Sequence, residues 1–129
     1  MALLLLDTHV FLWWLRDDPK LGPKARAAIA DPANAVFVSA ATAWEIAVKR
    51  ANGKLEAHGD VVEWIAESDF DELAIEVDHA VAAAELPRHH TDPFDRMLVA
   101  QAQLEELTLV ARDDAFERYD VEILDAAAY

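Results

Sequence analysis

The apolar positions of the chain follow two different spacings, which predict two kinds of element. Residues 3–6 are consecutive leucines that end at Asp7, a pattern typical of a strand buried on both faces of a parallel sheet. Short apolar or alternating runs predict further strands at residues 35–38, 73–77, 107–111 and 121–124. Helical spacing predicts helices at residues 8–16, 23–31, 40–52, 61–66, 80–86, 94–106 and 114–118, the third of them with Ser39 as its N-cap.

Strands that alternate with helical segments predict right-handed crossovers and a parallel sheet that is covered on both faces. We therefore expect an α/β protein, a three-layer α/β/α sandwich around a sheet of about five strands. The three glycines and five prolines are spread singly along the 129 residues, which favours a single domain over residues 1–129. No apolar run exceeds six residues and cysteine is absent, so we expect a cytoplasmic protein that makes no use of a membrane.

Charge is distributed unevenly along the chain. The formal net charge is −14, which by itself argues against a partner made of phosphates because anions repel a polyanion. However, residues 1–54 hold five acids and seven bases, residues 55–87 ten acids and no base, and residues 88–129 ten acids and four bases. The surplus of acid lies in the middle, where interleaved apolar residues favour a solvated face. The net charge therefore does not decide against nucleic-acid contact elsewhere.

Acidic residues follow several of the predicted strands. Asp7 comes directly after the first strand, Glu45 lies in the helix after the second, and Asp113 follows the fourth. Ligands of open parallel sheets bind beyond the carboxyl ends of the strands, and Asp95, in the first turn of its helix, can reach the same edge. Each acid also has an ordinary structural alternative, as a helix cap, a complement to a helix dipole or, for Glu45, half of a surface pair with Lys49.

Carboxylates that converge in one cleft raise one another's pKa unless a cation is present. Oxygen ligands without cysteine select hard ions, Mg²⁺ or Mn²⁺, and such ions hold water that can become a nucleophile. The pattern therefore favours a Mg²⁺ or Mn²⁺ centre that hydrolyses phosphodiester bonds.

Four segments stand out in order along the whole chain: residues 7–9 (DTH), Ser39 followed by residues 44–49 (WEIAVK), residues 90–102 (HTDPFDRMLVAQA) and residues 109–113 (LVARD). Together they resemble the PIN-domain ribonuclease toxins of the VapC type. The resemblance implies a PIN-like fold and a Mg²⁺- or Mn²⁺-dependent endoribonuclease, the toxin of a type II toxin–antitoxin system. It further implies an RNA substrate, a cognate antitoxin that neutralises the enzyme, and a homodimer.

The same resemblance implies roles for individual side chains. The family's acidic quartet corresponds to Asp7, Glu45, Asp95 and Asp113, of which Asp7 and Asp95 are expected to contact the metal directly. Supporting roles fall to His9 and Ser39, which orient carboxylates or water, and to Asp92, as N-cap rather than fifth ligand. Ala111 stands where family members often carry Thr or Ser, and this removes a hydroxyl near the expected metal.

Basic and aromatic side chains near these acids suggest contact surfaces. We expect RNA phosphates to be held by Lys49, Arg50, Arg96 and Arg112, each of which lies within five positions of a quartet acid. Trp13 and Trp14 are adjacent in an almost wholly apolar helix and are not expected to face the same core. One of them is therefore a candidate for a dimer or antitoxin groove, with a core position as the alternative.

Two other functions are consistent with an aspartate after the first strand. An aspartate-based phosphohydrolase needs a second Asp where this chain has His9, and a receiver domain needs a Lys near the last strand, whereas this chain ends in LDAAAY. A degenerate PIN fold that only binds is the second alternative, and the presence of all four acids argues against it.

Overall fold

The computed structural model describes residues 1–112, 114 and 116–129. Five strands form one sheet: β1 (Leu3–Leu6), β2 (Ala35–Ser39), β3 (Asp71–Leu73), β4 (Thr108–Ala111) and β5 (Ile123–Asp125). Their order across the sheet is β3-β2-β1-β4-β5, and all neighbours are parallel. The helices of the described residues are α1 (Thr8–Arg16), α2 (Pro23–Ala30), α3 (Ala40–Ala51), α4 (Val61–Glu67), α5 (Val77–Glu85) and α6 (Pro93–Glu105).

The leucines of β1 lie at the centre of the sheet and supply both of its faces. Leu4 and Leu6 belong to one buried cluster together with side chains of α1, α2 and α4, whereas Leu5 belongs to a second cluster with side chains of α6. Helix α5 packs on α6. The continuous apolar run is explained by burial on both sides, and the predicted three-layer sandwich with a five-stranded parallel sheet is confirmed. No helix in the described part of the chain is both long and apolar enough to cross a lipid bilayer.

Two predicted boundaries were wrong by several residues. β3 ends at Leu73 instead of beginning there, and α5 begins at Val77, three residues before the predicted start. The alternation through Val77 suggested a strand, but the Glu76 backbone N–H donates to His79 Nδ1 at 2.9 Å and starts a helix. Val77 therefore lies on the exposed face of α5. The short helix predicted at residues 114–118 includes residue 115 and falls partly outside the described residues.

The two adjacent tryptophans of α1 both pack against the same core, contrary to expectation. Trp13 and Trp14 are partly buried against the cluster that contains Leu4 and Leu6. The Trp14 ring also lies 5.8 Å from the Phe70 ring. Neighbouring side chains of a helix point about 100° apart, and the two rings accordingly have different neighbours, His9 for Trp13 and Phe70 for Trp14.

Candidate active site

Asp7 lies at the carboxyl end of the central strand and is also the N-cap of α1. Its Oδ1 accepts a hydrogen bond from the Val10 backbone N–H at 2.8 Å, and its own backbone N–H donates to the Val110 carbonyl at 3.0 Å. The residue is only 6% exposed. The cap bond satisfies a free N–H of the first helical turn and fixes the carboxylate at the sheet edge.

Asp95 reaches this edge from the first turn of α6. The helix is started by Asp92, whose Oδ1 accepts from the backbone N–H groups of Phe94 at 2.8 Å and Asp95 at 3.1 Å. The expectation that Asp92 is an N-cap is thus confirmed. On the other side, Oδ2 of Asp95 lies 2.9 Å from His90 Nε2.

Glu45 is buried in α3 behind this pair of aspartates, with 3% of its surface exposed. The Thr8 hydroxyl donates to Glu45 Oε1 at 2.7 Å and lies 3.1 Å from the Thr42 hydroxyl oxygen. The Lys49 ammonium donates to Oε2 at 2.5 Å. The i, i+4 pair with Lys49 therefore exists, but on the Glu45 side it is a buried pair and not a surface one.

The carboxylates influence one another electrostatically. Burial, more than any other effect, raises the pKa of Asp7 from 3.8 to about 6, and the negative charge of Glu45 adds to the rise while the bond from Val10 opposes it. Burial likewise raises the pKa of Asp95 to about 6, helped by the charges of Asp92, Asp7 and Glu45 and opposed by His90. A bound cation would favour the charged form of both groups.

A cleft of about 240 Å³ opens in front of the two aspartates. Its lining residues are Asp7, His9, Trp13, Asp95, Arg112, Asp114 and Phe116. The cleft therefore combines acidic groups, one arginine and two aromatic walls at the carboxyl edge of the sheet, where ligands of such folds bind.

The remaining predicted site residues lie in different places. His9 is exposed and lines the cleft, with its ring 6.3 Å from that of Trp13. Ser39 contacts no carboxylate among the described residues, because its hydroxyl donates to Gln101 Oε1 at 2.6 Å and accepts from the Ala41 backbone N–H at 3.0 Å. Asp113 lies outside the described residues.

Only two of the four predicted phosphate contacts lie beside the acids. Lys49 is held by Glu45, and Arg112 lines the cleft. The Arg50 guanidinium lies 5.8 Å above the Trp64 ring, away from the cleft. The Arg96 guanidinium faces the end of α5, where it donates to backbone carbonyls, the closest being Ala83 at 2.8 Å.

The donor set is chemically suited to a hard divalent ion. Asp7 and Asp95 offer carboxylate oxygens in one cleft, and both are disfavoured in the charged state while no cation is near. Within the described residues, no three Asp, Glu, His or Cys side chains are close enough to form a ready-made metal site. The part of the cleft beside these two residues therefore fits a metal that is held by few protein ligands and several waters.

A family model described as "PIN domain" matches residues 4–122 of the chain. The chain belongs to the PIN domain family. The match covers β1 from Leu4 onward, all of β2, β3 and β4, and the acids Asp7, Glu45 and Asp95. A comparison with curated protein sequences finds no match.

Solved structures resemble this PIN domain over nearly its whole length. A chain of VapBC2 from Rickettsia felis, bound to a DNA fragment from its promoter, has a TM-score of 0.68 at 12% identity and covers 96% of this chain and 98% of its own. A toxin–antitoxin complex from Klebsiella pneumoniae gives 0.66 at 22% identity, covering 98% of both chains. VapBC-5 from Mycobacterium tuberculosis gives 0.62 at 23%, covering 97% and 99%. At these identities the likeness establishes the PIN fold.

The structure of this PIN domain adds side chains that the sequence patterns did not single out. Thr8 donates to Glu45 and is itself paired with Thr42, His90 contacts Asp95, and Asp114 lines the cleft. Thr42 lies three positions before Glu45, on the same helix face, so helical spacing alone could have suggested it. The contact of His90 depends on how the loop before α6 folds, for which the sequence contains no local signal.

Proposed function

We propose that this PIN domain is a metal-dependent endoribonuclease that acts as the toxin of a type II toxin–antitoxin system. The observation that carries the proposal is the pair of aspartates in one cleft, Asp7 buried and Asp95 partly buried, each with its pKa raised to about 6. Such an arrangement is unfavourable unless a cation binds, and Mg²⁺ or Mn²⁺ suits oxygen ligands. Family membership supports a nuclease, and the neighbours solved as toxin–antitoxin complexes support the biological role.

The proposed mechanism gives individual residues of the chain the following roles. Asp7 and Asp95 hold the ion, and Asp113 is proposed to complete the quartet. When bound, a divalent ion supplies an activated water and offsets the charge of the phosphate. Glu45, fixed by Thr8 and Lys49, adds negative charge behind the aspartates. Arg112, which lines the cleft, and Lys49, which pairs with Glu45, would hold the phosphates of the RNA strand.

The test is cleavage of total RNA by purified protein free of antitoxin. We expect cut RNA with Mg²⁺ or Mn²⁺, no cutting in EDTA, and at least a 100-fold loss in Asp7→Asn and Asp95→Asn. Asp69→Asn, a substitution at an exposed position away from the cleft, is the matched control and should cut like the wild type. Cleavage that persisted in EDTA or in both cleft variants would overturn the metal mechanism.

A PIN fold that only binds is the second candidate, because the described residues hold no ready-made metal site. It predicts that no RNA is cut under any condition, although RNA or a protein partner still binds. A Mn²⁺ titration separates the two candidates, since the nuclease should bind the ion and lose that binding in Asp7→Asn. The binding module should show no difference between the two proteins.

We also propose a basic antitoxin as partner. The chain carries a net charge of −14, and its acids are densest in residues 55–87, so a basic segment is electrostatically matched to it. The partner should inhibit RNA cleavage, and the inhibition should weaken with added salt. A co-purifying protein that leaves cleavage unchanged would contradict this role.

A homodimer is proposed from an apolar surface on α3, α5 and α6. A groove of about 240 Å³ there is lined mostly by Ala41, Trp44, Ile75, Ala80, Ala83, Ala84, Pro93, Phe94 and Met97. Trp44, which lines this groove, is 60% exposed, and on α5 Val77 and Val81 are 82% and 51% exposed. Exposed apolar surface of this kind is typical of an interface.

A further inference from the structure

A further cavity lies where α5 ends and α6 begins. It is next to the cleft lined by Asp7 and Asp95, which we call the carboxylate cleft. The further cavity has a volume of about 280 Å³, and its lining residues are Ala84, Arg88, His90, Thr91 and Arg96. We call it the cationic pocket, because it is lined by two arginines and a histidine and has no acidic lining residue among those described. Arg88 is the first base after the stretch of residues 55–87, which has none.

The loop that forms this pocket is held in place by Arg96. Its guanidinium donates to the carbonyl oxygens of Ala83 at 2.8 Å, Leu86 at 2.9 Å, and Pro87 and His90 at 3.1 Å each. These acceptors are neutral, so they satisfy the donors of the guanidinium without cancelling its charge. The hydrogen bonds of Arg96 thereby link the end of α5 and the loop to α6.

Tyr119 fastens the same loop from the opposite side. Its hydroxyl donates to the Pro87 carbonyl at 3.0 Å and accepts from the His90 backbone N–H at 2.9 Å. A loop ordered in advance loses little conformational entropy when it binds a ligand. The pocket is therefore organised before any ligand arrives.

The charges of the pocket are available to an anion. In the described part of the chain, no carboxylate lies within 4.0 Å of the Arg88 or Arg96 guanidinium. His90 belongs to both sites, since it lines the pocket and its Nε2 lies 2.9 Å from Asp95 Oδ2. An anionic chain bound in the cleft would therefore be separated from the pocket by the His90 side chain.

We infer that the cationic pocket binds a backbone phosphate of the RNA strand adjacent to the one in the carboxylate cleft. The inference rests on the proposed nuclease function and extends it to a second contact with the substrate. An RNA strand approaching the acids of the cleft meets repulsion, and positive charge beside the cleft offsets it. Arg88, exposed and without a structural hydrogen bond among the described contacts, is the side chain that would reach the phosphate.

The experiment measures RNA binding in protein that cannot cut. Asp7→Asn serves as background, and the probe is a fluorescein-labelled single-stranded RNA of about 12 nucleotides and mixed sequence. The dissociation constant is measured by fluorescence anisotropy between about 50 and 200 mM salt. The added variants are Arg88→Gln, which removes the charge, Arg88→Lys, which keeps it, and Lys54→Gln, which removes an exposed charge beyond the end of α3.

Arg88→Gln should weaken binding several-fold and reduce the slope of log affinity against log salt by about 0.7, the value for one lost phosphate contact on single-stranded nucleic acid. Arg88→Lys should keep the slope, and Lys54→Gln should change neither quantity. Equal slopes in Arg88→Gln and Lys54→Gln would overturn the inference. So would a loss of antitoxin affinity in Arg88→Gln with RNA binding intact, which would assign the pocket to a protein partner.

The nuclease function and the phosphate-binding pocket are contradicted by different results. If the wild type cuts no RNA with either metal, the nuclease function fails whatever the binding slopes are. If the wild type cuts RNA but Arg88→Gln binds the probe with an unchanged slope, only the phosphate pocket fails.

Discussion

The two aspartates of the cleft, Asp7 buried and Asp95 partly buried, destabilise the folded chain in their charged form when no cation is bound. Asp7 and Asp95 lie at the edge of the sheet with pKa values of about 6, whereas an ordinary aspartate has a value near 3.8. Both must therefore lose a proton in a poorly solvated place at neutral pH. Ionisable groups with such unfavourable charges are common at functional sites, where the ligand offsets the charge.

Replacing Asp7 by Asn should stabilise the metal-free protein while removing activity. The amide carries no charge, and its oxygen can still accept from the Val10 backbone N–H. A rise in pKa from 3.8 to about 6 corresponds to about 3 kcal/mol, the upper limit of the expected gain in unfolding free energy at pH 7. Urea denaturation in EDTA measures it, with Asp69→Asn as control. A less stable Asp7→Asn would contradict the raised pKa.

The stability of the metal-free wild type should depend on pH with a definite sign. Both groups hold their protons more tightly in the folded state than in the unfolded chain, so stability is greatest below pH 4 as far as these groups are concerned. It is lost as the pH rises from about 4 through the folded pKa of about 6. The difference in unfolding free energy between wild type and Asp7→Asn, measured at pH 4.5, 6 and 7.5, reports the contribution of Asp7. A difference that does not change with pH would refute it.

Added Mn²⁺ should reverse the dependence of stability on pH. Protons compete with the ion for the same carboxylates, so the increase in melting temperature caused by Mn²⁺ should be larger at pH 7 than at pH 5. Asp7→Asn should show little increase at either pH. Scanning calorimetry with and without the ion provides the measurement, and an equal response in both proteins would place the ion elsewhere.

Helices α3 and α6 carry Glu45 and Asp95, and a buried polar chain joins these two helices. Ser39, at the start of α3, donates to Gln101 of α6, and the Gln101 amide donates to the Ala74 carbonyl at 3.2 Å. Ser39 and Gln101 are fully buried. The serine that the sequence suggested as a partner of the carboxylates is thus placed where it joins the elements that carry them.

Ser39→Ala therefore distinguishes a structural role of Ser39, in joining α3 to α6, from a direct role at the metal. It removes the cap of α3, worth about 1 kcal/mol, and leaves the Gln101 oxygen unsatisfied, at about 1–3 kcal/mol. We expect a loss of about 2–4 kcal/mol in unfolding free energy. Mn²⁺ affinity, measured well below the melting temperature, should stay within about twofold of wild type. A large loss of affinity with unchanged stability would instead support a direct role at the metal.

At the scale of the whole molecule, the chain has an acidic stretch, basic side chains near the cleft and an exposed apolar groove. Residues 55–87 hold ten acids and no base, Arg112 lines the cleft, and the exposed Trp44 lines the groove on α3, α5 and α6. The proposed contacts with RNA, a basic antitoxin and a second copy would therefore rest on different features of the chain, namely the arginines near the cleft, the acidic stretch and the apolar groove.

Val81→Glu should dissociate the proposed dimer. Val81 projects from the apolar face of α5, and a carboxylate there would be buried against its counterpart without a partner. Sedimentation velocity should show a dimer for the wild type and a monomer for this variant. Val62→Glu, at a similarly exposed valine of α4, is the control and should remain dimeric. A monomeric wild type whose inhibition by antitoxin is lost in Val81→Glu would assign this surface to the antitoxin.

Local patterns were sufficient for most of the fold. The leucine run of β1 and the spacing of α1 were each predicted to the residue, because burial on both faces and a helical period are properties of a few neighbouring residues. The β3 boundary was wrong because an alternating pattern is shared by strands and by the start of a capped helix such as α5. The sheet edge followed from topology, so Asp7, Glu45 and Asp95 could be expected to come near one another before any coordinates.

Tertiary structure decided which neighbours those side chains have. Arg96 lies next to Asp95 in the chain but faces α5, and Ser39 faces Gln101, because helix packing chooses the side on which each residue meets a partner. Thr8 and Thr42 became part of the site through contacts between segments 34 and 37 positions apart, and His90 through the fold of the loop before α6. Chain order and periodicity therefore define the sheet, its edge and the acids on it. Charge states, hydrogen-bond partners and the cationic pocket depend on burial and long-range contact, which a linear pattern does not contain.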